Sequence, residues 1–437
     1  MTVYLGLAGN DFILNGKLRD VSAEDVYRPL TTPVFGTDVV YDCPNAKLVE
    51  QKRFVKFGLT QAALEAHVRL IEQETVDYIK TSGAFKGQAG IVDAPAVLAQ
   101  ITIYTAGRTL QGVEVRRRLT DEFAALYHDL DLGFNPLNFI LPWAPLPGNR
   151  RRDAAHARMR AIYFDIIAER RNRGALAEQE QDEPDMIWNL MRCAYRDGTP
   201  VPDKEIAHMM ITILMAGQHS SSSASAWILL RLAAHPDIAE ELFQEQVAQC
   251  GDAGGRGFRP LEHADLDRLP LLQGAVKETL RVHSSIHSLM RRVKNPLPVP
   301  GTEYVVTPDK VLLASPLVTH LSEEYFPDAT RWDPHRWERG GAEPEEREGD
   351  LVDYGYGVVN KGTRSPYLPF GAGRHRCIGE KFAMVNLCTI VATLVREFRF
   401  GTLDGKSAVP PTDYTSLFSR PTQPARIRWE RRFPESV

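Results

Sequence analysis

Apolar residues recur at three- and four-residue spacing in stretches near 46–80, 92–106, 113–130, 152–174, 203–234, 237–250, 268–281 and 379–397. That period predicts amphipathic or buried helices. Alternation at period two is confined to short pieces, mostly beyond residue 290. They are Glu303-Tyr304-Val305-Val306, Lys310-Val311-Leu312-Leu313-Ala314 and Ala425-Arg426-Ile427-Arg428-Trp429. The pattern predicts a mainly α fold with a minor β part. Polar breaks at Glu178–Asp185, Gly251–Gly257 and the acidic Gly340–Asp350 predict surface loops. No linker or repeat interrupts the pattern, which predicts one domain over residues 1–437.

The stretch from Pro202 to Ala234 is the most informative. Pro202-Asp203 is a start signal and His235-Pro236 a stop. At ~1.5 Å per residue the helix spans about 50 Å, enough to cross a domain. Its middle reads Ala216-Gly217-Gln218-His219-Ser220-Ser221-Ser222-Ser223, a run of poor helix-interior residues. Two readings follow: a helix that opens around a ligand at its centre, or a kinked core helix with no ligand.

Hydropathy and composition narrow the class. No run approaches the ~18 apolar residues of a membrane span, and residues 1–16 do not have the make-up of a signal peptide. With 43% apolar and 25% charged positions, disordered and collagen-like classes are excluded. Lys plus Arg is 52 against 56 for Asp plus Glu, a net charge of -4, which gives no global reason to bind nucleic acid. The clusters Arg116-Arg117-Arg118 and Arg150-Arg151-Arg152 read as solvated surface. The five cysteines, Cys43, Cys193, Cys250, Cys377 and Cys388, are odd in number, widely spaced and without a CxxC pair. That argues against a disulfide framework or structural zinc and suits a reducing compartment.

Cys377 stands apart, in Phe370-Gly371-Ala372-Gly373-Arg374-His375-Arg376-Cys377-Ile378-Gly379. The glycines let backbone approach a flat macrocycle without Cβ collisions. A following helix, beginning Glu380-Lys381-Phe382, favours thiolate over thiol at its start. A thiolate pushes electron density onto heme iron. Arg374, His375 and Arg376 suit heme propionates or an acidic redox partner. The competing reading is a structural cysteine in a Gly-rich turn.

This segment resembles the FxxGxRxCxG signature of cytochromes P450, with His375 in the usual Arg position. Glu278-Thr279-Leu280-Arg281 resembles that family's ExxR pair. Phe326 to Trp337 resembles its meander, whose Arg336 joins the pair. ExxR alone carries nothing, since Glu and Arg at i, i+3 are common surface neighbours. The order and spacing of all three carry the resemblance.

Within the superfamily the chain is most similar to the fungal sterol 14α-demethylases, from about Val3 onward. Tyr27-Arg28-Pro29-Leu30-Thr31-Thr32-Pro33-Val34-Phe35-Gly36 with Val39-Val40-Tyr41-Asp42 is one signature, and Ala216 to Ser221 the other. The resemblance implies a P450 fold and heme b (iron-protoporphyrin IX) with Cys377 as the iron ligand. It puts Phe370 and Gly371 in the heme-binding turn, and Tyr27, Tyr41, Lys52, Arg291, Arg374 and His375 at the heme. It implies oxygen activation by Gly217, His219 and Ser220, with Asp131 as the acidic partner of His219. Phe35, Phe134, Ala216, His287 and Leu417 would line the sterol pocket, while Glu278, Arg281 and Arg336 would be structural.

The implied reaction uses O2 to remove the 14α-methyl group of lanosterol or eburicol as formate, in three oxygenations, within ergosterol biosynthesis. Electrons would come from NADPH through NADPH-cytochrome P450 reductase, docked near Arg374, Arg376 and Lys381. Azole inhibitors would fit the pocket. The implied location is the cytosolic face of the endoplasmic reticulum membrane, with peripheral membrane contact. Val3 aligns near the family's B–B′ region, so the sequence is read as N-terminally truncated, without the family's membrane anchor, hinge and first sheet strands. Two other readings stay open: a paralogue oxidising another sterol or a secondary metabolite, and a truncated, non-catalytic heme or sterol binder.

Overall fold

The computed structural model describes the chain apart from residue 120 and residues 180–184, 253–256, 339–349, 417 and 434–437. The helix Asp203–Ala234 runs unbroken through the middle. It packs against Ala94–Ala106, Pro147–Gln179, Pro270–Val282 and Glu380–Glu397. Its start at Pro202 and stop at His235 agree with the sequence. The helical hydrogen bonding continues through the serine run without a break. Ser220 Oγ donates to the Ala216 carbonyl at 2.8 Å and Ser225 Oγ to the Ser221 carbonyl at 2.7 Å. These back-bonds satisfy the hydroxyls inside the helix instead of unwinding it.

The predicted stretch 46–80 is two helices, Asn45–Phe57 and Gln61–Thr81. Gly58 ends the first, and Thr60 caps the second by accepting from the Ala63 N–H at 3.3 Å. The helices Gly6–Leu14 and Glu24–Phe35 were not legible, the latter because Pro29 and Pro33 sit inside it. Arg152 is also not solvated surface: its side chain is buried and donates to the Pro142 carbonyl at 3.3 Å.

The β part is peripheral. A four-stranded sheet runs Thr2–Val3, Val311–Ala314, Leu289–Val293 and Val21–Ser22, with Arg291 paired to Leu312. A three-stranded sheet joins Phe398–Thr402, Arg426–Arg431 and Ala89–Asp93. The main apolar core lies between the central helix and the helices Gln61–Thr81 and Glu380–Glu397, around the wholly buried Trp227. No described helix is long and apolar enough to cross a membrane.

Candidate active site

The Cys377 turn is built by backbone conformation. Gly371 and Gly373 take φ of +68° and +67°, a region L side chains avoid. A Cβ on Gly373 would lie 2.4 Å from the Leu14 carbonyl oxygen, so nothing larger fits. Cys377 N–H donates to the Phe370 carbonyl at 2.9 Å, closing the turn, and Gly379 caps the helix Glu380–Glu397.

Cys377 is exposed at the end of this turn. A cavity of about 810 Å³ reaches it between Lys56, Tyr356, Arg376, Ile378 and Lys381. The helix start favours the thiolate, as expected, but burial opposes it. Burial pushes the Cys377 thiol up, and the hydrogen bond from Gly379 opposes this only in part. Ionisation there requires a cation, and a coordinated metal deprotonates a thiol outright.

Tyr27, Tyr41, Lys52, Arg291, Arg374 and His375 are brought together beside that thiol. Tyr27 and Tyr41 stack at 5.2 Å, and Tyr41 lies 6.0 Å from the His375 ring. Tyr27 Oη accepts from the Met290 N–H at 3.0 Å, next to the buried Arg291. Lys52 Nζ donates to the Arg374 carbonyl at 2.7 Å, and Tyr356 Oη to the same carbonyl at 3.2 Å.

The cluster is cationic, with Arg291 buried and Lys52, Arg374 and His375 half-buried. Burial, Arg291 and Arg374 push Lys52 down to about 8, with Cys377 and Glu24 opposing. Burial and then Arg291, Lys52 and Arg374 hold His375 well below its ordinary value. Among the described residues no carboxylate is within ion-pair distance of Lys52, Arg291 or Arg374. Arg376 is not part of this cradle, because it makes two 2.8 Å hydrogen bonds to Glu380. An exposed thiol, glycine-lined backbone and a surplus of unpaired cations beside it fit a heme with its two propionates. Phe370 and Gly371 form the shoulder of this turn, where a Cβ on Gly371 would meet only Leu289, at 3.6 Å.

A second group forms around His219. Ala216 is exposed in mid-helix although Leu214 and Met215 beside it are buried, so the helix borders open space there. A Cβ on Gly217 would meet only Leu110, at 3.9 Å. His219 Nε2 lies 3.0 Å from Asp131 Oδ1, close enough for an ion pair but not aligned as a hydrogen bond. Burial pushes Asp131 up, but His219 beside it more than offsets this, with Arg420 and His128 adding, and the carboxyl sits below its ordinary value.

The predicted pocket aromatics meet here. Phe35 packs edge-on to Phe134 at 5.7 Å, and Phe134 lies 5.8 Å from the His219 ring. Phe418 stacks on His219 at 4.8 Å. His287 is grouped instead with Tyr414, 5.3 Å away. Leu417 lies outside the described residues. Sequence reasoning missed Tyr127, Tyr356 and Phe418. Tyr127 was findable: it precedes Asp131 by one turn, and its ring lies 5.3 Å from His219. Tyr356 had no signal, since its loop has no periodicity.

The family model for Cytochrome P450 matches residues 2–429. A sterol 14-alpha demethylase of Aspergillus flavus is 67% identical over 435 residues, covering 100% of this chain and 83% of that protein. An eburicol 14-alpha-demethylase of Penicillium italicum is 62% identical, covering 99% of this chain and 83% of that protein. Among solved structures, the retinoic acid bound cyanobacterial CYP120A1 is similar with a TM-score of 0.80 at 19% identity, over 98% of this chain and 88% of that one.

Proposed function

The chain belongs to the cytochrome P450 family, and from that premise we propose that it is a sterol 14α-demethylase acting on lanosterol or eburicol. The observation that carries this reading is His219 on the central helix, faced by Asp131 and walled by Phe35, Phe134 and Phe418. When bound, heme b supplies activation of O2 at an iron held by the Cys377 thiolate. Lys52, Arg291 and Arg374 would neutralise its propionates, with His375, Tyr27 and Tyr41 against them.

The aromatic wall binds and orients a flat apolar sterol and excludes water from it. Asp131, 3.0 Å from His219 Nε2, is placed to exchange a proton with that ring beside the pocket. Ser220 is oriented by its bond to the Ala216 carbonyl and offers its oxygen as the next acceptor. The same walls would accept azole inhibitors.

Electrons come, on this reading, from NADPH through a reductase meeting the surface near Arg374, Arg376 and Lys381. Peripheral contact with the endoplasmic reticulum membrane is supported by exposed apolar side chains at residues 137–146. Ile140 and Trp143 are the most prominent, at 72% and 75% exposure. The test is turnover of lanosterol and eburicol with a reductase and NADPH, with products identified by mass. Demethylated sterol and formate are expected. Normal heme incorporation with no sterol product would overturn the reading.

A further inference from the structure

Two histidines that the reaction does not use lie against the turn behind the pocket wall, one of them hydrogen-bonded to it. The helix Glu24–Phe35 ends at Gly36, with φ of +99°, and the carbonyls of its last turn need partners from outside. His208, in the second turn of the central helix, brings Nδ1 to 2.9 Å from the Thr37 carbonyl oxygen. His156, on the helix Pro147–Gln179, is within hydrogen-bonding reach of the Phe35 carbonyl. The two rings face each other with centroids 5.2 Å apart.

Carbonyl oxygens only accept, so neutral His208 carries its proton on Nδ1 and leaves Nε2 as a bare acceptor. Nε2 of both rings is buried without a hydrogen-bond partner. Ring and turn are in close contact, because a Cβ on Gly36 would lie 2.4 Å from the His208 ring. Phe35, next in the chain, meets Phe134, which meets His219.

The groups facing this pair are Arg160 and Asp153 from the helix of His156, Lys204 from the central helix and Asp38 from the turn. Lys204 and Asp38 pair with each other at 2.9 Å, and Asp153 pairs with Arg152. The helix C-terminus favours protonation. Burial, the neighbouring ring and Arg160 outweigh it: His156 is pushed down to about 4, and His208 is lowered too, by burial first.

We propose that His156 and His208 form a clasp that positions the pocket wall at Phe35, closed while both rings are neutral and released when one is protonated. A second ring proton would sit on an Nε2 with no acceptor among the described residues and beside another imidazole. One ring then turns out, its carbonyl is freed, and Phe35 loses its fixed place. Both act as positioning residues, since neither touches the reacting atoms. The inference rests on the sterol reading only in naming the ligand whose binding the wall controls.

The test is hydrogen exchange of the Val34–Cys43 backbone in the heme-loaded protein at about pH 7.5 and about pH 4.5, corrected for intrinsic rates, with lanosterol difference spectra in parallel. The parent is expected to lose protection about tenfold at the lower pH, with a similar fall in lanosterol affinity. In the double variant His156→Asn, His208→Asn the amides can still donate to the carbonyls but do not titrate, so both measures should hardly move with pH. His208→Ala should lose protection at both pH values, and His156→Ala is read in its place if that variant does not hold heme. Equal pH responses in the parent and the double Asn variant, or unchanged protection in the parent, would overturn the clasp. Failure of the parent to bind lanosterol at either pH would overturn the sterol reading, while the exchange result still decides the clasp.

Discussion

Arg281 donates from Nε and Nη2 to both carboxylate oxygens of Glu278, at 2.9 Å and 2.7 Å, and neither side chain has any exposed surface. The pair is the hub of a longer connection. Glu278 also accepts from Arg336 at 3.4 Å and from Trp337 Nε1 at 3.1 Å. Arg281 Nη1 donates to the His320 carbonyl at 2.5 Å, and His320 Nε2 accepts the Leu368 N–H at 2.7 Å. Leu368 leads directly into the turn that carries Cys377. A pair read as structural from its motif is therefore tied by hydrogen bonds to the turn that carries Cys377.

Removing one partner leaves the other charge buried and unpaired, which costs about 3–5 kcal/mol. Glu278→Gln, nearly isosteric, should therefore lower the thermal midpoint sharply and reduce the heme content of purified protein. Normal heme content and an unshifted midpoint would show that the pair does not hold the turn in place.

Cys377→Ala should abolish the thiolate-type reduced CO spectrum. The other cysteines are poor substitutes: Cys43, Cys250 and Cys388 are buried, and Cys193 is half-buried on a different element. A variant that retains the parent spectrum would refute the ligand assignment.

Proton delivery separates from binding. His219→Ala removes the ionisable group and should reduce kcat by about 10²–10⁴-fold, typical of a lost general acid. Lanosterol affinity should change much less, since Phe35, Phe134 and Phe418 remain. Asp131→Asn keeps the shape but removes the charge beside His219, and should fall between the parent and His219→Ala. Equal losses in kcat and affinity would instead make His219 a wall of the pocket.

The legible parts of this molecule were those with a local chemical reason. The central helix had a proline start and a proline stop, and both held. The cations and tyrosines around the heme site were legible only as members of motifs, because Tyr27, Lys52, Arg291 and Arg374 are far apart in sequence. Their shared burial is a tertiary fact. The helix Glu24–Phe35 was not legible because two prolines lie inside it, although the segment still buries Val26, Tyr27, Leu30 and Val34. The serine run does not break the helix: Ser220 and Ser222 find partners one turn back, and Ser223 on the Ser419 carbonyl. Tertiary packing decided both cases.

Acid should destabilise the fold in a defined window. Burial, assisted by nearby Arg281, pushes His320 down to about 3, and burial pushes His67 down to about 4. Unfolded, each would titrate near 6.5. Between those limits the unfolded chain binds more protons than the native one, so stability is full above about pH 6.5 and falls as the pH drops toward the folded values. His320 is the more telling of the two, because its Nε2 cannot take a proton without giving up the Leu368 N–H. Gln at position 320 can present an oxygen to that N–H without titrating. His320→Gln should therefore lose less stability than the parent between about pH 7 and pH 5, measured by denaturant unfolding at each pH. An undiminished acid slope in that variant would mean that other groups set the acid limit, and that the link from Arg281 to the Cys377 turn is not its weak point.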